Sequence, residues 1–166
     1  MRVTYFITIL AISLLFGCGF HLRGTHILDQ TQLPFRIVTI EPYAPEDRLQ
    51  QDLALRLESY AVEIAKEPTP WILQWEPLLL ETSPIAFGPN GELVREKLRL
   101  TLRYRLKHDN SVVAEKTLWT ERQHHLNVGS QLATQEERNA ILKEMQTDLL
   151  AQMVLQLSKI QYANNL

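Results

Sequence analysis

The chain has 166 residues and a formal charge of −2, with 45% apolar and 22% charged residues. That is one ordinary globular domain's worth of sequence, with no low-complexity tract and no internal repeat. A single cysteine, Cys18, excludes a disulfide framework within the chain.

The N-terminus sets Arg2 before an apolar run from Tyr5 to Phe16, interrupted only by Thr8 and Ser13, and then places Gly17 ahead of Cys18. Basic, apolar and small is the layout of a secretory signal, and the run falls short of the roughly 20 residues that span a bilayer. Leu15-Phe16-Gly17-Cys18 resembles the bacterial lipobox, in which the cysteine becomes the lipidated first residue after cleavage. A plain secretory signal with a bystander cysteine and an uncleaved anchor are the other two readings. Lipidation is favoured because a lone thiol in an oxidising compartment has no disulfide partner. Residues 1–17 are therefore expected to be a lipoprotein signal peptide, whose loss takes Arg2 and moves the formal charge from −2 to −3. Gly19 follows Cys18, where an aspartate typically favours retention in the inner membrane, so delivery to the outer membrane is expected.

Residues 18–34 (through GFHLRGTHILDQTQLP) have no steady period and read as an extended leader, and 35–166 as a single domain. Phe35 to Pro42 is rich in β-branched residues and predicts a buried strand. Pro45-Glu46-Asp47 suits a first helical turn, and Leu49, Leu53, Leu57, Tyr60 and Ile64 follow at helical spacing, so a helix is expected from about Glu46 to Tyr60. Trp71 to Phe87 predicts a strand that Pro77 and Pro84 confine to an edge or to bulges. Pro89-Asn90-Gly91 marks a turn, since Asn-Gly accepts positive φ. Two strands follow, Glu92 to Lys107 and Val112 to Asn127, joined at His108-Asp109-Asn110-Ser111. From Thr134 to about Ile160 the buried stripe Ile141, Met145, Leu149, Met153, Leu157 and Ile160 predicts a long amphipathic helix, opened by a Thr134/Glu137 capping box. The resulting expectation is an α+β two-layer sandwich, β-α-β-β-β-α, with two helices on one face of a mixed four-stranded sheet.

The strand ELVREKLRLTLRYRLK carries the most information. With a period of two, one face is Val94, Glu96, Leu98, Leu100, Leu102, Tyr104 and Leu106; the other is Arg95, Lys97, Arg99, Thr101, Arg103, Arg105 and Lys107. Such a row suits a polyanion, because guanidinium groups grip phosphate and carboxylate in bidentate fashion. A solvated face is the plainer account: long basic side chains guard exposed strands, and Glu76, Glu81, Glu115 and Glu121 are available as partners. For an exported, lipidated chain the abundant polyanion is lipopolysaccharide rather than nucleic acid.

Gly17 to Gly24 (GCGFHLRG) resembles the cysteine-glycine-aromatic-His-Leu-Arg start of the LptE family of lipopolysaccharide-assembly lipoproteins. The Phe-Gly-Pro-Asn-Gly hairpin, the alternating strand after it and the helix around Ala140 to Met145 are similar to that family too. The resemblance implies an outer-membrane lipoprotein seated inside the β-barrel LptD as plug and assembly partner, helping to insert lipopolysaccharide into the outer leaflet and binding it directly. The alternative is a free-standing periplasm-facing lipoprotein that binds an anionic ligand without a barrel. The hairpin tip Phe87-Gly88-Pro89-Asn90 is neutral where family members can carry a basic residue, which leaves Arg95, Lys97, Arg99, Arg103, Arg105 and Lys107 as the candidate contacts.

Nothing in the sequence points to catalysis or to a cofactor. His124 and His125 are adjacent on a strand and point to opposite faces, so they do not chelate one ion together. His21, His26 and His108 read as leader and turn residues. Trp71, Trp75 and Trp119 read as core or sheet-face residues, with contact to a barrel wall or a sugar as the alternative.

Overall fold

The computed structural model of the chain describes residues 33–42, 47–127 and 129–160, all within the compact unit Gln32–Leu166. Cys18, His21, His26, Pro45 and Glu46 lie outside the described residues, as do the signal peptide and most of the leader.

In chain order the elements are β1 (Ile37–Glu41), α1 (Arg48–Glu58), β2 (Glu63–Ala65), β3 (Trp71–Trp75), β4 (Leu79–Phe87), β5 (Leu93–His108), β6 (Ser111–His125) and α2 (Gln131–Ser158). The class is α+β, with a mixed sheet of six strands rather than the four expected. β1 runs parallel to β2 and to β3, and all other pairs are antiparallel. Two departures raise the count. The Trp71–Phe87 segment breaks at Glu76-Pro77-Leu78 into β3 and β4, which pair with the two ends of the same side of β5. Proline cannot donate to the ladder, so Pro77 falls in the break, and Pro84 falls beside a register shift. The other addition is β2, where the expected helical stripe had placed Ile64.

Asp47 caps α1, its carboxylate accepting from the Leu49 N–H at 2.8 Å. The helix ends two residues short of Tyr60, because Ala61 turns to φ 57° and sends Val62 N–H back to the Leu57 carbonyl. α2 starts one turn before the expected capping box. Ser130 is its cap, and the Thr134 hydroxyl donates to the Ser130 carbonyl from inside the first turns. The tightest turn lies between β5 and β6, where Asp109 and Asn110 both have positive φ and pair His108 with Ser111. At the β4–β5 end only Gly91 has positive φ.

Both helices bury against one face of the sheet. Leu53 and Leu57 from α1, and Met145, Leu149, Leu150, Met153, Val154 and Leu157 from α2, close over Val38, Ile40, Leu73, Leu98, Leu102 and Leu106. Fully burying each such side chain contributes about 1.5–3 kcal/mol. Among the described residues no helix is long and apolar enough to cross a membrane.

Candidate functional site

β5 alternates along its length. Glu96, Leu98, Leu100, Leu102, Tyr104 and Leu106 are buried beneath the helices. Arg95, Lys97, Arg99, Thr101, Arg103, Arg105 and Lys107 therefore share the opposite face, which neither helix covers. The Asp109–Asn110 turn, together with a register shift beyond Lys107 that leaves Val113 without a partner on β5, places Glu115 opposite Arg105 and Glu121 opposite Arg99. Both acids are used. Arg105 holds Glu115 through Nε and Nη2, at 3.2 and 3.1 Å. Glu121 lies within ion-pair distance of Lys97 and Arg99 together, at 3.6 and 3.8 Å, and Arg103 lies 3.7 Å from Glu76. The bidentate hydrogen bond and the adjacent charge hold the Glu115 carboxyl below its usual range and raise Arg105 above its own.

Four of the six cations thus have an acid beside them, and the middle of the row is close to neutral. Among the described residues, Arg95 and Lys107 at the two ends have no acidic partner. Arg95 faces His125 across the ladder, two residues from Lys97, and its Nε is closed off from water with nothing to bond. The hairpin end of the face therefore gathers Arg95, His125 and Lys97 beside the exposed side chains of Ile85 and Phe87, and among the described residues only Lys97 of the three has an acid, Glu121.

Between the paired rows lies an apolar strip that the sequence reading did not single out. Leu79, Thr101 and Trp119 are directly opposite one another on β4, β5 and β6. Leu79 and Trp119 are 52% and 51% exposed, and the Arg99 guanidinium lies 4.6 Å from the centre of the Trp119 ring. The signal was available, since Trp119 shares the odd-numbered face of Glu115 and Glu121. Trp71 instead packs between Phe35 and His108, with ring centres 5.6 and 4.3 Å away, and Trp75 leans on the core.

The even-numbered face of the same strands holds a buried polar cluster. His124 is fully buried; its Nδ1 lies 2.9 Å from Glu96 Oε1, and its Nε2 donates to the Thr134 carbonyl at 3.0 Å. Arg138 on α2 donates to Glu96 Oε1 at 3.2 Å and to the Thr82 hydroxyl at 3.4 Å. The cluster fastens the first turns of α2 to β4, β5 and β6. An acid in the apolar face of β5 was its signal in the sequence. The histidine pair splits between faces as the alternation requires, and no metal-binding group of three acids, histidines or cysteines occurs among the described residues.

The family model described as "LptE: Lipopolysaccharide-assembly" matches residues 35–157, which takes in every element above but the last residue of α2. The chain belongs to the LptE family. Among solved structures, lipoprotein B of Nitrosomonas europaea is similar at 23% identity with a TM-score of 0.67, over 87% of this chain and 94% of that one. A minor lipoprotein of Acinetobacter baumannii is similar at 18% identity and TM-score 0.62, over 76% of this chain and 92% of that one. The rare lipoprotein B of Shewanella oneidensis is similar at 17% identity and TM-score 0.63, over 72% and 91%. At these identities the three structures establish a shared fold. No curated protein matches the chain. Membership of the LptE family puts the domain in lipopolysaccharide assembly at the cell envelope.

Proposed function

We propose that the protein is an outer-membrane lipoprotein, acylated on Cys18, that forms a complex with an LptD-type β-barrel as plug and assembly partner and contacts lipopolysaccharide directly. The observation that carries the reading is the uncovered face of β4, β5 and β6. Its charges are mostly paired around the exposed Leu79–Trp119 strip, which suits docking against a protein wall. Its hairpin end keeps Arg95 without an acid, next to Lys97, His125, Ile85 and Phe87. That combination fits an anionic amphiphile, because phosphates meet the cations while acyl or apolar groups meet the exposed side chains. Lys107, at the other end of the row, is a candidate barrel contact, as are the ion-paired Arg99, Arg103 and Arg105. The role is one of binding and assembly, without catalysis or cofactor.

Outer membranes solubilised in detergent test the complex. An LptD-type barrel should co-purify with the tagged chain in near-equal amount, and intact mass should show loss of residues 1–17 and added lipid on Cys18. A chain that emerges without a barrel but still binds lipopolysaccharide would be the free-standing anion-binding lipoprotein. An unmodified Cys18 thiol in the membrane-extracted protein would end the lipidation reading.

A further inference from the structure

β6 is the last strand on its side of the sheet. Among the described residues it pairs only with β5, so its outer edge is open. The Leu126 N–H donates to the Val94 carbonyl, and in an antiparallel ladder every second residue turns both main-chain groups to the same neighbour. Even-numbered residues of β6 therefore bond to β5 as far back as Ala114, while Glu115, Thr117, Trp119, Glu121 and Gln123 direct their N–H and C=O outward. The two halves of this edge differ. Near the hairpin end, Arg122 donates from Nη1 to the Glu121 carbonyl at 2.9 Å and is itself held by Asp148 of α2. Such cover is one way that strand edges are kept from pairing. In the other half, among the described residues, no hydrogen bond reaches the outward main chain of Glu115 or Thr117. A groove of about 410 Å³ lies there instead, lined by Val113, Ala114 and Lys116 of β6 and by Gln156, Lys159 and Ile160 at the end of α2.

An open strand edge flanked by a helix is where an extended peptide adds a strand: main-chain bonds hold it, and alternate side chains select it. Charge sets the selection here. Even-numbered residues of β6 face α2, as the buried Thr120 and His124 do, so Lys116 lies on the α2 side together with Lys159. Neither lysine has an acidic partner among the described residues. Glu115 does not offset them, because its side chain is on the opposite face and held by Arg105. On a strand laid along this edge every second side chain points to the α2 side, and acids there meet both lysines. We propose that this half of β6 takes up, by strand addition, an extended acidic segment of a partner polypeptide. The site does not rest on the reading of the open face, whose side chains point away from the groove.

The test is two-dimensional NMR of the full chain in an uncharged detergent, titrated with a capped peptide of alternating Glu and Thr. The amide signals of Glu115, Thr117 and Trp119 should shift saturably, and a peptide of alternating Lys and Thr should leave them in place. Two N-methylated versions of the acidic peptide, one blocked at every Glu N–H and one at every Thr N–H, probe the pairing itself. Only one set of N–H groups can face β6, so one version should lose binding and the other keep it. Lys116→Glu with Lys159→Glu should weaken binding about tenfold or more. Thr117→Pro should abolish it while the urea midpoint holds, because that N–H points outward and β5 loses no bond. The two methylated peptides decide the matter if the proline variant does not fold. Any of four results would overturn the proposal: no saturable shift, equal binding of the two methylated peptides, equal binding of the basic peptide, or full binding by a folded Thr117→Pro chain. Binding seen only after residues 161–166 are removed would overturn it too, by assigning the groove to the chain itself.

Discussion

Arg105 and Glu115 face each other across β5 and β6 and are joined by two parallel N–H···O bonds, the only bidentate pair among the described residues of the open face. Water reaches both side chains, which are 41% and 63% exposed, and screens the pair. The Glu115 carboxyl is held below its usual range, so what the pair adds is present above the ordinary carboxylate pKa and is lost as pH falls through the folded value. Glu115→Gln should therefore destabilise the chain slightly near neutrality and not at all in strong acid. Urea unfolding of both chains across that pH range measures the difference. A gap that widens as pH falls would contradict the assignment.

The uneven pairing along β5 ranks the cations. Reversing Arg95 and Lys97 together, to Glu, should weaken lipopolysaccharide binding by about tenfold or more, since 1.4 kcal/mol is a factor of ten. Reversing Arg103 and Arg105 should do less, because their charges are already met by Glu76 and Glu115. Binding by the parent chain should fall as salt rises, with screening beyond about 8 Å at physiological ionic strength. Surface-immobilised lipopolysaccharide titrated with each chain in a salt series reads all three effects. Equal losses from the two double variants would show that pairing does not matter.

His124 carries a different kind of load, because it is buried. His124→Ala removes two hydrogen bonds and leaves Glu96 and the Thr134 carbonyl short of a partner. The cost should be roughly 1–3 kcal/mol, since the buried Glu96 then keeps Arg138 as its donor. Hydrogen exchange should rise first in α2 between Gln131 and Arg138, the turns that the cluster fastens, while Met145 to Leu157 stay protected. Uniform loss of protection along α2 would argue against a local fastening.

Burial pushes the Tyr104 phenol up to about 12. A raised value means that the unfolded chain ionises first, so stability is intact below the ordinary tyrosine pKa of about 10 and declines as pH climbs towards the folded value. The phenolate absorbance of the parent chain minus that of Tyr104→Phe should show one group titrating late. A difference curve centred near the ordinary value would mean that Tyr104 is reached by solvent.

What the sequence made plain was periodic, and what it hid depended on partners. β5 announced itself because leucines recur at every second position for most of its length, and the amphipathic stripe of α2 was equally regular. The end of α1 was obscured because Ala61 occupies a left-handed position where glycine is usual, and because Ile64 continues the helical spacing from Tyr60 although it belongs to β2. At the start of α2, Thr134 and Glu137 mimic a cap that Ser130 actually provides. The acids near the basic row were visible, but their pairing needed the β5–β6 register, which depends on the Asp109–Asn110 turn and on the register shift at Val113.

Phe35, buried just before β1, rests on Trp71 beside His108, the last residue of β5. The Gly88–Gly91 turn lies past the other end of the same strand. Sixteen residues at about 3.3 Å each separate the two by about 50 Å, against roughly 30 Å for the hydrocarbon thickness of a bilayer. A contact made at one end of β5 is thus more than a membrane's hydrocarbon thickness from the other end, so the two ends of this one strand can meet different partners at once.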